Sequence, residues 1–257
     1  ANINPMGIPE SVREAVVNSL EMCENYPQMF CDDLREKIGR RYGVDSSFII
    51  CGNGASDVLY RYVFAIKPKN AVVAAPCFAE YEAALECVGA KVEYYQINHN
   101  TFEIEDDFME MFEYKPDMIF LCNPNNPTGA VIEKVYLKDL IEHNPQVCFV
   151  IDQSYEFFTL QPLFSPVEAA HFSNVLFLHS MTKRYAVPGL RLGYITAHEG
   201  LLSRLRTHRM PWSVNQLAIE AGLYLLEYDV PNPLNISAYL QETARLRNAL
   251  EQTGGLE

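Results

Sequence analysis

A chain of 257 residues with 49% apolar side chains can bury a sizeable core, as one large domain or as one domain and part of another. The formal net charge of −13 argues against nucleic acid or an anionic membrane as the main partner, so any anionic ligand has to be held by local donors. Seven irregularly spaced cysteines, with no Cys-x-x-Cys pair and no histidine cluster nearby, suggest neither a disulfide framework nor a zinc site, and no apolar run approaches membrane-spanning length. A soluble cytoplasmic protein with reduced, mostly buried thiols is expected.

The pattern along the chain divides it into an N-terminal arm with a first helix (1–25), an α/β body (26–230) and a closing helix (231–257). The first chemical feature is CGNGASDVLY, 51–60. Two glycines lead into a helix over 56–66, so backbone N–H groups at Gly54, Ala55 and Ser56 can face an anion with help from the helix dipole. The same string also serves as an ordinary turn with an N-cap. A strand over 71–75 follows, then a helix over 78–88, a strand over 91–97 and a strand over 117–122. The last of these runs into LCNPNNPTGA, 121–130, where two Asn-Pro steps and a glycine fix an irregular loop that holds amide side chains rigidly.

A helix over 134–143 leads to VCFVIDQSYEFF, 147–158, a strand with Asp152 at its end. A carboxylate there needs a cationic or hydrogen-bonded partner, and an arginine is the expected one. Next comes HSMTKRYAVPGLRLGY, 179–194, after a strand over 175–180. Lys183 stands three residues past Ser180, and Arg191 lies beyond a Pro-Gly bend. A half-buried lysine near another cation loses proton affinity and becomes a nucleophilic amine, while Ser180 and Arg191 can bind a phosphate. A strand over 193–197, a helix over 201–208 and a long helix over 235–252 complete the pattern, and the Gly-Gly in TGGLE normally leads into another element. Strands alternating with helices, several of them apolar on both faces, predict an α/β fold with a mostly parallel sheet flanked by helices. In such sheets ligands bind beyond the carboxyl ends of the strands, where all four features fall. A phosphate cradle, a reactive amine, a buried carboxylate and rigid amides together suit pyridoxal 5′-phosphate.

The order GNG, NPNNPTG, D-x-x-Y and S-x-T-K-x7-R strongly resembles the class I/II aminotransferase superfamily, the pyridoxal-phosphate enzymes of fold type I. The resemblance covers essentially the whole chain. It implies that 26–230 is the cofactor-binding large domain and that 231–257 leads to a small C-terminal domain of about 100 residues, missing or truncated here. It implies that Lys183 is the Schiff-base lysine and later moves the Cα proton, and that Asp152 holds the pyridine nitrogen protonated. Asn126 and Tyr155 would meet the ring hydroxyl oxygen. The phosphate would be taken by Gly54, Ala55, Ser56, Ser180 and Arg191, with Phe78 rather than Tyr81 stacking on the ring. Tyr26 would reach the phosphate of a neighbouring subunit, making a homodimer, although it also suits a surface turn.

Within the superfamily the sequence is most similar to the threonine-phosphate decarboxylases and the histidinol-phosphate aminotransferases, which implies a small phosphorylated amino acid or amino alcohol as substrate. The strings NINPMGIP and RMPWSVNQLA favour the decarboxylases and make Arg209, Trp212, Ser213 and Asn215 candidates for the substrate site, or else for a loop capping the next helix. The string Asp152-Gln153-Ser154-Tyr155 departs from the usual Asp-Glu-Ala-aromatic pattern, and its tyrosine leans towards the aminotransferases. A non-catalytic domain that binds the cofactor is the remote alternative.

Overall fold

The computed structural model describes residues 2–232 and 234–253. Its centre is one seven-stranded sheet in the order β1-β7-β6-β5-β4-β2-β3, built from β1 (Ile49–Asn53), β2 (Asn70–Ala75), β3 (Lys91–Gln96), β4 (Met118–Cys122), β5 (Cys148–Asp152), β6 (Val175–Ser180) and β7 (Leu192–Ala197). β3, β2, β4, β5 and β6 run parallel, and β7 is antiparallel to both of its neighbours, β6 and β1. The sheet is mostly parallel, as the pattern predicts.

Strands β4, β5, β6 and β7 are buried along their whole length, which explains why they read as continuous apolar runs. One face packs on α3 (Ala55–Ile66), α4 (Glu80–Glu86) and α8 (Glu199–Arg206), with Leu59, Tyr62, Tyr81 and Leu205 meeting Phe120, Val150 and Leu176. The other face packs on α5 (Lys134–His143), α6 (Pro166–Ala169) and a 3-10 segment at Asp106–Tyr114, where Phe108, Leu137, Ile141 and Ala169 meet Phe149, Ile151 and Phe177. A third cluster joins the β1–β7 edge to α1 (Glu10–Asn18), α2 (Asp32–Tyr42) and α9 (Gln216–Glu227) through Val12, Leu34, Ile38, Leu192 and Ala218. α10 (Ile236–Glu251) starts at Asn235, whose side chain accepts the Ala238 N–H, and has no buried residue. The Gly-Gly of TGGLE lies outside the described residues. No helix among the described residues is long and apolar enough to cross a membrane.

Strand direction puts the chemistry at one edge. Cys122, Asp152 and Ser180 are the last residues of β4, β5 and β6, and β1 points the same way. Pairing of Asn53 with Leu192 and of Ser180 with Gly193 brings the start of the reversed strand β7, and Arg191 just before it, to that edge.

Candidate active site

Asp152 is 5% exposed, so its charge needs partners. Its Oδ2 accepts a 2.6 Å hydrogen bond from the Tyr81 hydroxyl and its Oδ1 accepts the Ser154 N–H at 2.8 Å. The expected arginine is not the partner. Tyr81 takes that place because α4 crosses the face onto which alternate β5 side chains, Val150 and Asp152, project. Tyr81 is buried and stacks on Phe120 with ring centroids 5.2 Å apart, so its hydroxyl has little freedom to turn elsewhere. Burial, reinforced by the carboxylate of Asp152, drives the Tyr81 phenol well above its usual range and keeps it a donor.

The phosphate cradle forms where α3 begins. Gly54 precedes the helix with φ +84°, a conformation open to glycine, and the first-turn N–H groups of Ala55 and Ser56 lack partners within the helix. A Cβ on Gly54 would lie 3.0 Å from Cζ of Arg191, so the missing side chain is what lets the guanidinium lie over the turn. Arg191 itself adopts φ +59° after the Pro188–Leu190 turn and donates to the Pro188 carbonyl at 3.0 Å. Gly193 is required for a related reason: a Cβ there would sit 2.7 Å from the Gly54 carbonyl carbon. Ser180 completes the cluster, its hydroxyl 2.8 Å from that of Thr182.

Lys183 lies on α7 (Met181–Arg184), a single turn that follows β6 directly. Its Nζ stands 6.0 Å from the centroid of the Tyr155 ring. Burial lowers the proton affinity of this amine below its usual value; nearby Asp152 opposes the change, and Arg191 adds to it. Burial also pushes the Tyr155 phenol up to about 12, with Cys122 and Asp152 contributing. The NPNNPTG loop is held by its own amides. Asn123 donates to the Ile132 carbonyl and accepts its N–H, while Asn125 donates to the Pro76 carbonyl and to the Thr128 hydroxyl. That frame leaves Asn126 at the cavity, where its Oδ1 accepts a 2.9 Å bond from Asn2.

One cavity is therefore lined by Ala55, Ser56, Phe78, Asn126, Asp152, Tyr155, Ser180, Lys183 and Arg191 together. Tyr81, Cys122 and Thr182 line it as well, and sequence reasoning did not select them. Thr182 had a signal in the Ser-x-Thr spacing; the Tyr81–Asp152 contact, 71 residues apart in sequence, had none. Tyr26 is elsewhere: it is 84% exposed and packs against Trp212 at 5.3 Å. Arg209 covers the Phe30 ring, and Asn215 caps α9 through the Ala218 N–H. The Arg209–Asn215 segment thus acts as a helix cap and an aromatic patch outside the Lys183 cavity. A second cavity behind the NPNNPTG loop, lined by Phe102, Glu103, Asp106 and Tyr136, holds no lysine, arginine or histidine. Among the described residues no group of carboxylate, histidine and cysteine side chains could hold a metal ion.

Residues 1–255 match the family aminotransferase class I and II. The chain belongs to that family. Threonine-phosphate decarboxylase of Salmonella typhimurium is 32% identical over 257 residues, which are 98% of this chain and 70% of that protein. Histidinol-phosphate aminotransferase of a Thermoanaerobacter species is 30% identical over 262 residues, spanning all of this chain and 74% of the relative. In three dimensions the chain is similar to the L-threonine-O-3-phosphate decarboxylase of Porphyromonas gingivalis, with TM-score 0.89 and 30% identity over 98% of this chain and 75% of that one. Enzymes of this family depend on pyridoxal 5′-phosphate, and that is the cofactor of this chain. The residues present fit it. The Arg191 guanidinium, packed over the Gly54 turn at the start of α3, suits a phosphate, and a buried carboxylate near an amine of lowered proton affinity suits a pyridine aldehyde.

Proposed function

We propose that the chain carries the cofactor-binding site of a cytoplasmic enzyme acting on a small phosphorylated amino acid, most like a threonine-phosphate decarboxylase. The observation that carries the reading is the convergence of Lys183, Asp152, Asn126 and the Ser180–Arg191 cradle on one cavity at the carboxyl edge of the sheet. Bound there, the cofactor supplies an electron sink for the pair left when a bond to the substrate Cα breaks. Lys183 presents an amine that is neutral at lower pH than an ordinary lysine, which would let it bond the cofactor's carbonyl carbon with loss of water and hold a proton for the substrate Cα. Asp152, held with one oxygen on Tyr81 and the other on Ser154, would present its carboxylate to the ring nitrogen. Asn126 and Tyr155 would offer hydrogen bonds to the ring hydroxyl, and Phe78, which lines the cavity, would stack on the ring. Ala55, Ser56, Ser180 and Arg191 take the phosphate.

The second reading is a histidinol-phosphate aminotransferase; Tyr155, with its hydroxyl, and the 30% identity to such an enzyme favour it. The two differ in the bond that breaks at Cα, to carboxylate or to hydrogen. Incubation with O-phosphothreonine, and separately with histidinol phosphate and 2-oxoglutarate, distinguishes them. Release of CO2 without glutamate is the expected result, and glutamate without CO2 establishes the aminotransferase. An amine-induced absorbance change with neither product would leave only a non-catalytic cofactor-binding domain.

A further inference from the structure

Asn4 lies outside the cavity, yet it is among the most heavily bonded residues near it. It is 1% exposed and uses all of its hydrogen-bonding groups. Its backbone N–H donates to the Lys183 carbonyl at 3.1 Å, and its backbone carbonyl accepts the Gly7 N–H. The side-chain Nδ2 donates to the Arg184 carbonyl at 2.8 Å and to Asn232 Oδ1 at 3.0 Å. Oδ1 accepts the Met6 N–H, which fixes which end of the amide points where. Asn232 continues the chain of bonds. Its Nδ2 donates to the Phe157 carbonyl at 3.2 Å, and its Oδ1 also accepts the Leu234 N–H.

The bonded groups are informative. α7 is one turn long, so the carbonyls of Lys183 and Arg184 have no partner within it. A helix could satisfy them by continuing, which would carry the chain away from the Pro188–Leu190 turn that aims Arg191. Asn4 takes both carbonyls instead, and the helix stops. Phe157 belongs to the 3-10 turn Glu156–Phe158 that directly follows Tyr155. Two amides, 228 residues apart in sequence, therefore tie the end of the Lys183 helix to the turn that carries Tyr155. The same arm touches the Tyr155 side again, where the Tyr155 hydroxyl donates to the Asn2 carbonyl.

We propose that Asn4 and Asn232 are positioning residues, an amide pair that clamps the Lys183 helix to the Tyr155 turn and so fixes where the amine stands against the Tyr155 ring. This rests on Lys183 being the cofactor-bonding amine. Neither asparagine touches the cavity; both act through the backbone on which Lys183 and Tyr155 are mounted. The amine is held at low proton affinity chiefly by burial, so loosening its helix admits water and raises that affinity.

The test reads the pH midpoint of the Lys183 amine in cofactor-free protein, from its rate of carbamylation by cyanate, beside the melting temperature. Asn4→Ala and Asn232→Ala should each move the midpoint up by about half a unit, roughly threefold in proton affinity. The double variant should move it no further than the larger single, because either change opens the same clamp. Asn232 is only half-buried, so its variant serves if Asn4→Ala does not fold. A lower melting temperature with an unmoved midpoint overturns the proposal, as do fully additive shifts. The reading beneath it is checked separately. If Lys183→Ala loaded with pyridoxal 5′-phosphate keeps the lysine–cofactor absorbance band, the cofactor assignment to Lys183 fails; if it loses the band while both asparagine variants match the parent protein in carbamylation midpoint, only the clamp fails.

Discussion

Lys183 stands between two opposite influences. Burial strips water from its ammonium, Asp152 favours the charged form, and Arg191 disfavours it. A lowered proton affinity leaves more neutral amine at any pH below the ordinary lysine value of 10.5. Removing Arg191 should therefore raise the titration midpoint of Lys183, and removing Asp152 should lower it. In cofactor-free protein the rate of carbamylation of Lys183 by cyanate, followed by mass spectrometry against pH, reports that midpoint. Parent protein should fall below 10.5, with Arg191→Gln above the parent and Asp152→Asn below it. Shifts of the same sign in both variants would mean that general loosening, rather than charge, sets the amine. Because Asp152 and Arg191 pull oppositely, a global change in burial cannot reproduce the expected pair of results.

Strand register does for the cradle what charge does for the lysine. Pairing of Ser180 with Gly193 places β7 flush against the turn at Gly54, and only the absence of a side chain at Gly193 allows that approach. Gly193→Ala should cost about 1–3 kcal/mol in urea unfolding, the usual cost of overpacking, and weaken cofactor binding by about tenfold in a fluorescence titration. Gly189→Ala is the matched control. Nothing lies within 4 Å of a Cβ at Gly189, so stability should stay within about 0.5 kcal/mol of the parent. Equal effects at both glycines would remove the argument from register. The same contrast explains what could be read from the chain beforehand. β4, β5 and β6 are apolar on both faces and end on Cys122, Asp152 and Ser180, so their existence and their chemical ends were both legible. β1 was not, because Ile49–Asn53 offers two isoleucines before Cys-Gly-Asn, and α2 was not, because only Leu34, Ile38 and Gly39 are buried in a charged helix. The Tyr81–Asp152 bond and the Asn4–Asn232 pair join distant elements, and local patterns carry no trace of such contacts. An arginine for Asp152 was a sound expectation for an isolated strand; α4 supplies a tyrosine instead.

At the scale of the whole molecule, the placement of Tyr26 is the informative feature. The tyrosine expected to reach a phosphate is 84% exposed and remote from the Lys183 cavity of its own chain. It packs on the exposed Trp212, whose N–H donates to the carbonyl of the exposed Met29, so that an apolar surface joins two distant segments. Apolar patches of this kind mark interaction surfaces, and a second copy of the chain is the partner that would give Tyr26 a phosphate to reach. A chain with net charge −13 resists self-association through long-range repulsion while its apolar patch favours it. Salt screens the first and leaves the second, so the dimer should tighten from low to moderate ionic strength, the opposite of an association driven by ion pairs. Sedimentation at micromolar protein should show a dimer that Trp212→Asp dissociates. Tyr26→Phe keeps the ring against Trp212 and loses only the hydroxyl. It should therefore remain dimeric while its cofactor dissociation constant rises by about tenfold, the worth of one hydrogen bond to a charged group. Parent protein that stays monomeric under all these conditions would return Tyr26 to an ordinary surface turn. A dimer that binds cofactor equally well with or without the hydroxyl would keep the interface and remove the tyrosine from the neighbouring site.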